Sequence, residues 1–469
     1  MNAYKTTVGL EVHAELKTKS KMFCGCKNDP HASKPNANIC PVCMAHPGTL
    51  PVVNKEAVHF LMQVGTAIGG TLADYSEFDR KNYFYPDIPK AYQISQFAFP
   101  FVAGGELGGI AITRIHLEED TARSQHEDGA SLVDFNRAGV PLMELVTEPV
   151  IHDPESAGAF ARELQLLLRT LGVSDANMEK GEMRVEVNVS VSKTDELGTK
   201  VEVKNINSFK AAEAAVAFEV KRHMEVLEAG GTLIQETRGW DENRSSTFSQ
   251  RIKESADDYR YFPDPDIPKF KRSEIPEFSN ARLAEILAET PDSKRSSYRD
   301  LGLAGDQIEI IISDLGRDAF FSKAAKSLAD AKDITTLGNY FTSDLLGLCD
   351  AENLNLADGS SNTFAQLVGL VGKGDLNSRV AKDLLKEVVF ESKDPMKLAE
   401  EKGLLQKSSA DDLLPFIQQV IVENSAVVDE YKAGKDSAIQ FLIGQGMKLT
   451  KGAANPGVLK SLFEKELPR

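Results

Sequence analysis

Between Thr7 and Leu16 apolar and polar residues alternate. Val8, Leu10, Val12 and Ala14 fall on one side of an extended chain and Glu11, His13 and Glu15 on the other, the period-two signature of a strand with one buried face. Met183 to Val191 (MRVEVNVSV) repeats the pattern with Arg184, Glu186, Asn188 and Ser190 on the polar side, and Val201 to Lys204 offers a hairpin partner across a nine-residue loop. Elsewhere the period lengthens. After Asp153-Pro154, a capping residue followed by proline at the first helical position, Ala157, Phe160, Ala161, Leu164, Leu167, Leu168 and Leu171 form one apolar stripe that Gly172 ends. A second helix is predicted from about Phe209 to Ala229, closed by Gly230-Gly231. Strands clustered around a few helices predict an α+β N-terminal part whose sheet leaves a polar face open to a ligand.

From about Ala281 the chain reads as helices rich in Leu, Ala, Lys, Asp and Glu. One is expected from an Asn377 cap to Phe390, after the break at Gly372-Lys373-Gly374. Residues after Lys432 predict two or three short helices punctuated by Gly444, Gly446, Gly452 and Asn455-Pro456-Gly457. Sixteen of the 20 prolines lie in the first 291 residues and all 8 histidines in the first 223, so the chemistry belongs to the first part. The polar stretch from Glu289 to Ser297 marks the boundary, giving expected domains 1–293, 294–405 and 406–469.

The chain has no run of 18 apolar residues and no basic segment leading an apolar core at its start, so a cytoplasmic protein with no membrane partner is expected. The net charge of −16 argues against a protein that coats nucleic acid over its whole surface. The last 30 residues run the other way, with five Lys/Arg against two Glu, which leaves room for a local basic face.

Four of the 5 cysteines sit together: Cys24-Gly25-Cys26, then thirteen residues, then Cys40-Pro41-Val42-Cys43. In a cytosolic chain this spacing suits a structural zinc knuckle, since four thiolates close the coordination sphere. Cys349 reads as a buried hydrophobe. Glu11 and His13 share a strand face about 6.5–7 Å apart, close enough for one ligand. Glu144 lies inside the apolar run PLMELV, where an unpaired carboxylate costs several kcal/mol, so it faces either a cation or the base Arg137. In His116-Leu117-Glu118-Glu119-Asp120 the apolar phase slips between Ile110/Ile112 and Ile115/Leu117, and pattern alone leaves open whether Glu119 or the Glu118/Asp120 pair points inward. Hard oxygen ligands with an imidazole suit Mg²⁺ beside a nucleotide phosphate. Asp79 to Lys90 (DRKNYFYPDIPK), echoed by Asp258 to Asp264, interleaves basic residues with aromatics, a composition that suits gripping single-stranded RNA ends and equally suits packed loops. No P-loop, kinase-type glycine loop or Gly-x-Ser-x-Gly elbow is present, so any ATP chemistry must use a fold that binds phosphates through metals and sheet side chains.

The segments VGLEVHAELKTKSKMFC, PVCMAHPGTLPVVNKEAV, FDRKNYFYPDIPKAYQISQF, HLEEDTARS, VDFNRAGVPLMELVTEP, VKNINSFK and DDYRYFPDPDIP together resemble the B subunit of the glutamine-dependent aspartyl/glutamyl-tRNA amidotransferases, and FLIGQGMKLTKGAANPGVLKSLFEKEL resembles that family's tRNA-binding tail. The resemblance implies a glutamine-synthetase-like cradle with a mainly antiparallel sheet, followed by an all-α linker and tail. It implies a carbon–nitrogen ligase that uses ATP and Mg²⁺ to phosphorylate the side-chain carboxylate of misacylated Glu-tRNA(Gln) or Asp-tRNA(Asn). Ammonia released from glutamine by an amidase-type A subunit then displaces the phosphate, and a small C subunit completes a heterotrimer. Carried over by motif, Glu11, His13, Glu119 and Glu144 would be catalytic Mg²⁺ ligands, and Lys81 would stand near the ammonia outlet, guiding ammonia or binding phosphate. Cys24, Cys26, Cys40 and Cys43 would match the zinc-bearing branch of the family, and Lys448, Lys451 and Lys460 would meet tRNA. The tail departs from the family at Gly446, where a bulkier apolar residue is expected, and at Ala453, where a basic one is. The competing readings are a zinc-containing RNA-binding module without chemistry and a metal-dependent phosphate hydrolase.

Overall fold

The computed structural model describes residues 4–252, 259–406, 410–450 and 454–468. The chain divides into two compact units, Met1–Pro291 and Asp292–Arg469. The expected further division at 405/406 falls beside residues 407–409, which lie outside the described residues.

The first unit begins with β1 (Lys5–Glu15) and α1 (Lys55–Ala67), then the short strands β2 (Thr71–Leu72), β3 (Tyr75–Ser76), β4 (Asp79–Asn82), β5 (Tyr92–Ser95), β6 (Val102–Ala103) and β7 (Glu106–Leu107). Next come β8 (Ile110–Glu119), a hairpin of β9 (Arg123–Glu127) and β10 (Ala130–Asp134), β11 (Pro141–Thr147) and α2 (Pro154–Thr170). The remainder is β12 (Met183–Ser192), β13 (Val201–Ile206), α3 (Phe209–Glu228), β14 (Glu236–Asp241), β15 (Ser246–Ile252), β16 (Phe262–Pro263) and β17 (Phe270–Lys271). Among the described residues the principal sheet has 10 strands in the order β15-β14-β13-β12-β1-β11-β8-β6-β2, with β7 on β8. Its pairings are antiparallel except β13 with β14. The α+β, mainly antiparallel expectation holds.

The alternation in β1 does what the pattern requires. Val8, Leu10, Val12 and Ala14 are fully or almost fully buried in one core with Met183, Val185, Val187 and Val189 of β12 and with the apolar stripes of α1, α2 and α3. Those helices cover that face and leave the other to polar side chains. The expected hairpin pairs Val187 with Val203 and Val189 with Val201. Asp153 caps α2 by accepting the Ser156 amide at 2.7 Å, and Gly172, at φ +70°, supplies the left-handed turn that ends it.

The second unit is helical throughout its described residues. Phe321, Phe341 and Phe364 are buried together at its start, and Asn377 caps the helix Ser378–Phe390 as expected. The tail forms its own apolar cluster, in which Leu442, Leu459 and Phe463 are fully buried. One expectation is corrected there. Gly444 and Gly446 lie inside the helix Ala438–Leu449 and do not break it. A Cβ on Gly446 would stand 3.2 Å from Leu459, so this glycine lets the helix Pro456–Glu466 approach closely where a bulkier residue was expected. Residues 451–453, including the expected tRNA contact Lys451 and the departure at Ala453, lie outside the described residues.

Candidate active site

Strand register lines up polar residues from four strands on the face opposite the core. Arg184 of β12 lies across from His13 of β1, His13 across from Glu144 of β11, and Glu144 across from His116 of β8. In the neighbouring row Glu186 faces Glu11. Two irregularities aim these side chains. At Val146/Thr147 the β11–β8 register slips past Thr113, and at Val185/Val187 the β12–β13 register slips past Lys204 and Asn205. An extra residue of this kind turns the following side chains over to the other face.

The distances are short. His13 Nε2 lies 3.3 Å from Glu144 Oε2, 3.6 Å from Glu118 Oε1 and 3.9 Å from Glu11 Oε1, and His116 Nε2 lies 3.3 Å from Glu144 Oε2. Glu11, His13 and Glu144 each present a donor atom within 4.8 Å of the others; so do His116, Glu118 and Glu144, and likewise Glu11, Glu186 and Glu202. A cavity of about 350 Å³ opens here, with Lys81, Glu118, Asp120, Arg184 and Lys204 in its wall beside Glu11 and His13. The buried Nδ1 of His116 has no hydrogen-bond partner among the described residues.

Burial and crowding set the protonation states. Burial, with the charges of Glu144 and Glu186, pushes the Glu11 carboxyl up to about 7. Burial works against the charge on His13, but its hydrogen bond to Glu144 and that carboxylate's charge raise it to about 9. Burial likewise opposes the charge on Glu144, and His116 and His13 nevertheless hold its carboxyl well below the usual range. The Lys81 ammonium is desolvated too, yet Tyr261, Glu118, Tyr83 and Glu144 keep it well above the ordinary lysine value. Such a lysine is a fixed cation.

Of the residues expected from sequence, Glu11, His13 and Lys81 line one cavity, and Glu144 joins them through His13 at 3.3 Å. Glu119 does not join them. That carboxylate accepts the Ile94 amide at 3.0 Å and pairs with Lys90 at 2.5 Å, on the far side of β8. The slip at Thr113 is the reason: it places Ile115 and Leu117 in the core, so His116, Glu118 and Asp120 fall on the opposite face, where Glu118 and Asp120 line the cavity. Glu118 occupies the place expected of Glu119. The salt bridge considered for Glu144 is also absent, because Arg137 turns to Asp120 at 3.7 Å and to the carbonyls of Thr121 and Ala122. Glu202 and Lys204 went unnoticed in the sequence, although they continue the polar alternation of β13 and Lys204 pairs with Glu186 at 2.6 Å.

The two aromatic–basic segments meet each other. Phe262 pairs with Arg80 between β16 and β4, Asn82 donates to the carbonyls of Tyr259 and Arg260, and the Lys81 ammonium stands 5.0 Å from the centre of the Tyr259 ring. Phe84 and Tyr85 stay exposed beside them. Asp258 lies outside the described residues.

Cys24, Cys26, Cys40 and Cys43 converge with their sulfurs within 4.8 Å of one another, Cys40 and Cys43 at 3.9 Å. Tetrahedral zinc with bonds of roughly 2.3 Å needs sulfurs about 3.8 Å apart, so the donor set fits a metal ion. The Cys40 amide donates to Cys43 Sγ at 3.2 Å, a contact that favours thiolate.

A mainly antiparallel sheet with a carboxylate–imidazole row across its open face and a four-cysteine cluster beside the segment leading into β11 defines a class: the catalytic domain of the GatB/GatE type. Residues 6–275 match the family model of the GatB/GatE catalytic domain and residues 319–467 that of the GatB domain. The chain is 42% identical to the B subunit of the aspartyl/glutamyl-tRNA(Asn/Gln) amidotransferase of Brevibacillus brevis, covering 100% of this chain and 99% of the relative. It is 43% identical to that of Caldanaerobacter subterraneus (99% and 100% covered) and 39% identical to that of Synechocystis (99% and 98%). This chain therefore belongs to the family of B subunits of tRNA-dependent amidotransferases, a ligase-type component of protein biosynthesis. No helix among the described residues is long and apolar enough to cross a membrane.

Proposed function

We propose that this chain activates the side-chain carboxylate of Glu-tRNA(Gln), Asp-tRNA(Asn) or both with ATP, and then passes the activated acyl group to ammonia. The observation that supports this best is the cluster of Glu11, His13, Glu118 and Glu144 in a GatB/GatE catalytic domain, the first three lining one cavity and Glu144 3.3 Å from His13. Glu11, His13, Glu118 and Glu144 would hold Mg²⁺, with Glu118 in place of Glu119. The donor set is right for it: oxygen-rich, with a buried imidazole. Bound there, Mg²⁺ would neutralise phosphate charge during transfer.

The chain's own residues do the rest by position. A free carboxylate is a poor acyl donor because oxide is a poor leaving group, and conversion to an acyl phosphate supplies a good one. Phosphoryl transfer asks a protein mainly for alignment and for cations on the developing charge. Lys81, held charged and without a carboxylate partner within ion-pair distance among the described residues, is suited to the transferred phosphoryl group. Arg184, anchored on Asp120 at 3.0 Å, borders the same space. Ammonia would come from glutamine through an amidase-type A subunit, with a small C subunit joining the two in a cytoplasmic heterotrimer. The four cysteines would hold a structural zinc, and the tail lysines Lys448 and Lys460 would meet the body of the tRNA.

The test is conversion of Glu-tRNA(Gln) to Gln-tRNA(Gln) with ATP and ammonium, using the chain purified with its partners and comparing it with Glu144→Gln. Product from the wild type and none from the variant, with tRNA binding kept, is the expected result. Wild-type complex that binds tRNA but never consumes ATP would leave only the non-catalytic RNA-binding module.

A further inference from the structure

Lys21 is among the largest fully buried side chains of the protein, with 0% exposure. Its ammonium donates to the Phe135 carbonyl at 3.0 Å and lies 3.9 Å from Cys43 Sγ. Among the described residues no carboxylate pairs with it. An ammonium stripped of water costs several kcal/mol unless an anion stands opposite. The anion within reach is the sulfur cluster, because four thiolates around a divalent zinc leave a surplus of negative charge.

We propose that Lys21 is the counter-cation of the four-cysteine metal centre, and that through it the centre fixes the segment 135–141 that leads into β11. The inference rests on the zinc reading given above. Further contacts besides the Phe135 bond tie that segment to the knuckle. The Met22 amide donates to Gly139 at 2.7 Å, the Leu16 amide to Pro141 at 2.8 Å, and the Asn38 amide to the Asn136 side chain at 2.8 Å. A Cβ on Gly139 would touch both Lys21 Cδ at 3.6 Å and Cys43 Cβ at 3.8 Å, so its backbone runs directly over the pair. Glu144 follows on the same strand. Lys21 is thus a positioning residue: it touches no substrate and acts by holding charge against the sulfurs.

The experiment uses the full chain as wild type, Lys21→Met (similar length, no charge) and Lys21→Arg (charge kept). Zinc per chain is measured by elemental analysis, zinc transfer to a chromogenic chelator is timed, and the thiolate-to-metal charge-transfer band is recorded on the cobalt-substituted proteins. The wild type should hold one zinc. Lys21→Met should release it roughly tenfold faster, the effect expected from losing one charge-assisted hydrogen bond to a buried anion, and should shift the cobalt band. Lys21→Arg should stay near wild type in both. If Lys21→Met fails to fold while Lys21→Arg folds and keeps its zinc, charge is again the requirement and the proposal stands. Equal behaviour of the two variants, whether both normal or both defective, makes Lys21 a space-filling residue and overturns the proposal. A wild-type chain that binds neither zinc nor cobalt removes the centre itself, an outcome distinct from zinc held normally by Lys21→Met.

Discussion

Glu118 and Glu119 are neighbours in sequence and opposites in place, so exchanging each for its neutral isostere separates the catalytic row from the scaffold behind it. Glu118 is 3% exposed, with its carboxylate 3.6 Å from His13 and accepting Ser95 Oγ at 3.1 Å. Glu118→Gln keeps the hydroxyl contact and removes one charge from the cavity. Loss of one preorganised charged group in such a site lowers turnover roughly 100- to 1,000-fold, while His13 keeps Glu144 as a partner at 3.3 Å and is not left unpaired, so the loss of stability is smaller than for Glu119→Gln. Glu119→Gln does the reverse. It leaves the cavity's charge intact and strips the counter-charge from Lys90, whose side chain is 14% exposed. Removing one partner of a largely buried ion pair costs about 3 kcal/mol. For a unit of this size that lowers Tm by about 5 °C. The assay is ATP- and tRNA-dependent amide formation at a temperature where both variants are folded, set beside thermal unfolding of each. An inactive Glu119→Gln of normal Tm together with an active Glu118→Gln would refute the strand phase deduced from Thr113.

The remaining predictions concern parts of the scaffold. Burial pushes the Glu219 carboxyl up, but the His223 imidazole 3.2 Å away and hydrogen bonds from Arg222 and Thr247 outweigh this and hold it at about 2 against an ordinary value of 4.5. Because the folded value is depressed, its contribution of about 3 kcal/mol is present above pH 4.5 and lost as pH falls toward 2. Urea unfolding should therefore show wild type and Glu219→Gln converging between pH 5 and 2, and a gap independent of pH would contradict this. Cys40→Ser should abolish metal binding at the knuckle and lower Tm by several degrees, as elemental analysis and calorimetry can show, since a structural zinc contributes folding energy directly. In the tail, Gly446→Leu should cost about 1–3 kcal/mol in chemical denaturation, because its side chain would enter the space of Leu459 and Phe463. An unchanged midpoint would mean that the two tail helices do not meet as described.

What was legible in the sequence was local. The alternation of Val8, Leu10, Val12 and Ala14 against Glu11 and His13 is a property of ten consecutive residues, and the Asp153-Pro154 cap declares its helix within two. The hairpin of β12 with β13 was readable because its strands are close in sequence. What decided Glu118 over Glu119 was one extra residue, Thr113, and a slip of that kind shows only against the partner strand. The meeting of Glu186 with Glu11, or of Arg184 with His13, likewise depends on register between segments more than 170 residues apart. Gly446 misled for the opposite reason: glycine signals a break by its own preferences, and here it serves the bulk of Leu459 on another helix.

The position of β1 also bears on how the protein is made. This first strand emerges from the ribosome long before its partners, since its two neighbours are β11 and β12, which end at Thr147 and Ser192. Pairings so distant form slowly and late. Until β12 is out, Val8, Leu10 and Val12 have no complete sheet to join, and both edges of the strand present bare amides and carbonyls to whatever is near. Nascent chains cut short before Ser192 should therefore be inert and prone to aggregate. The interval during which synthesis has passed β1 but not yet reached β12 is the one in which the strand is open to wrong pairing.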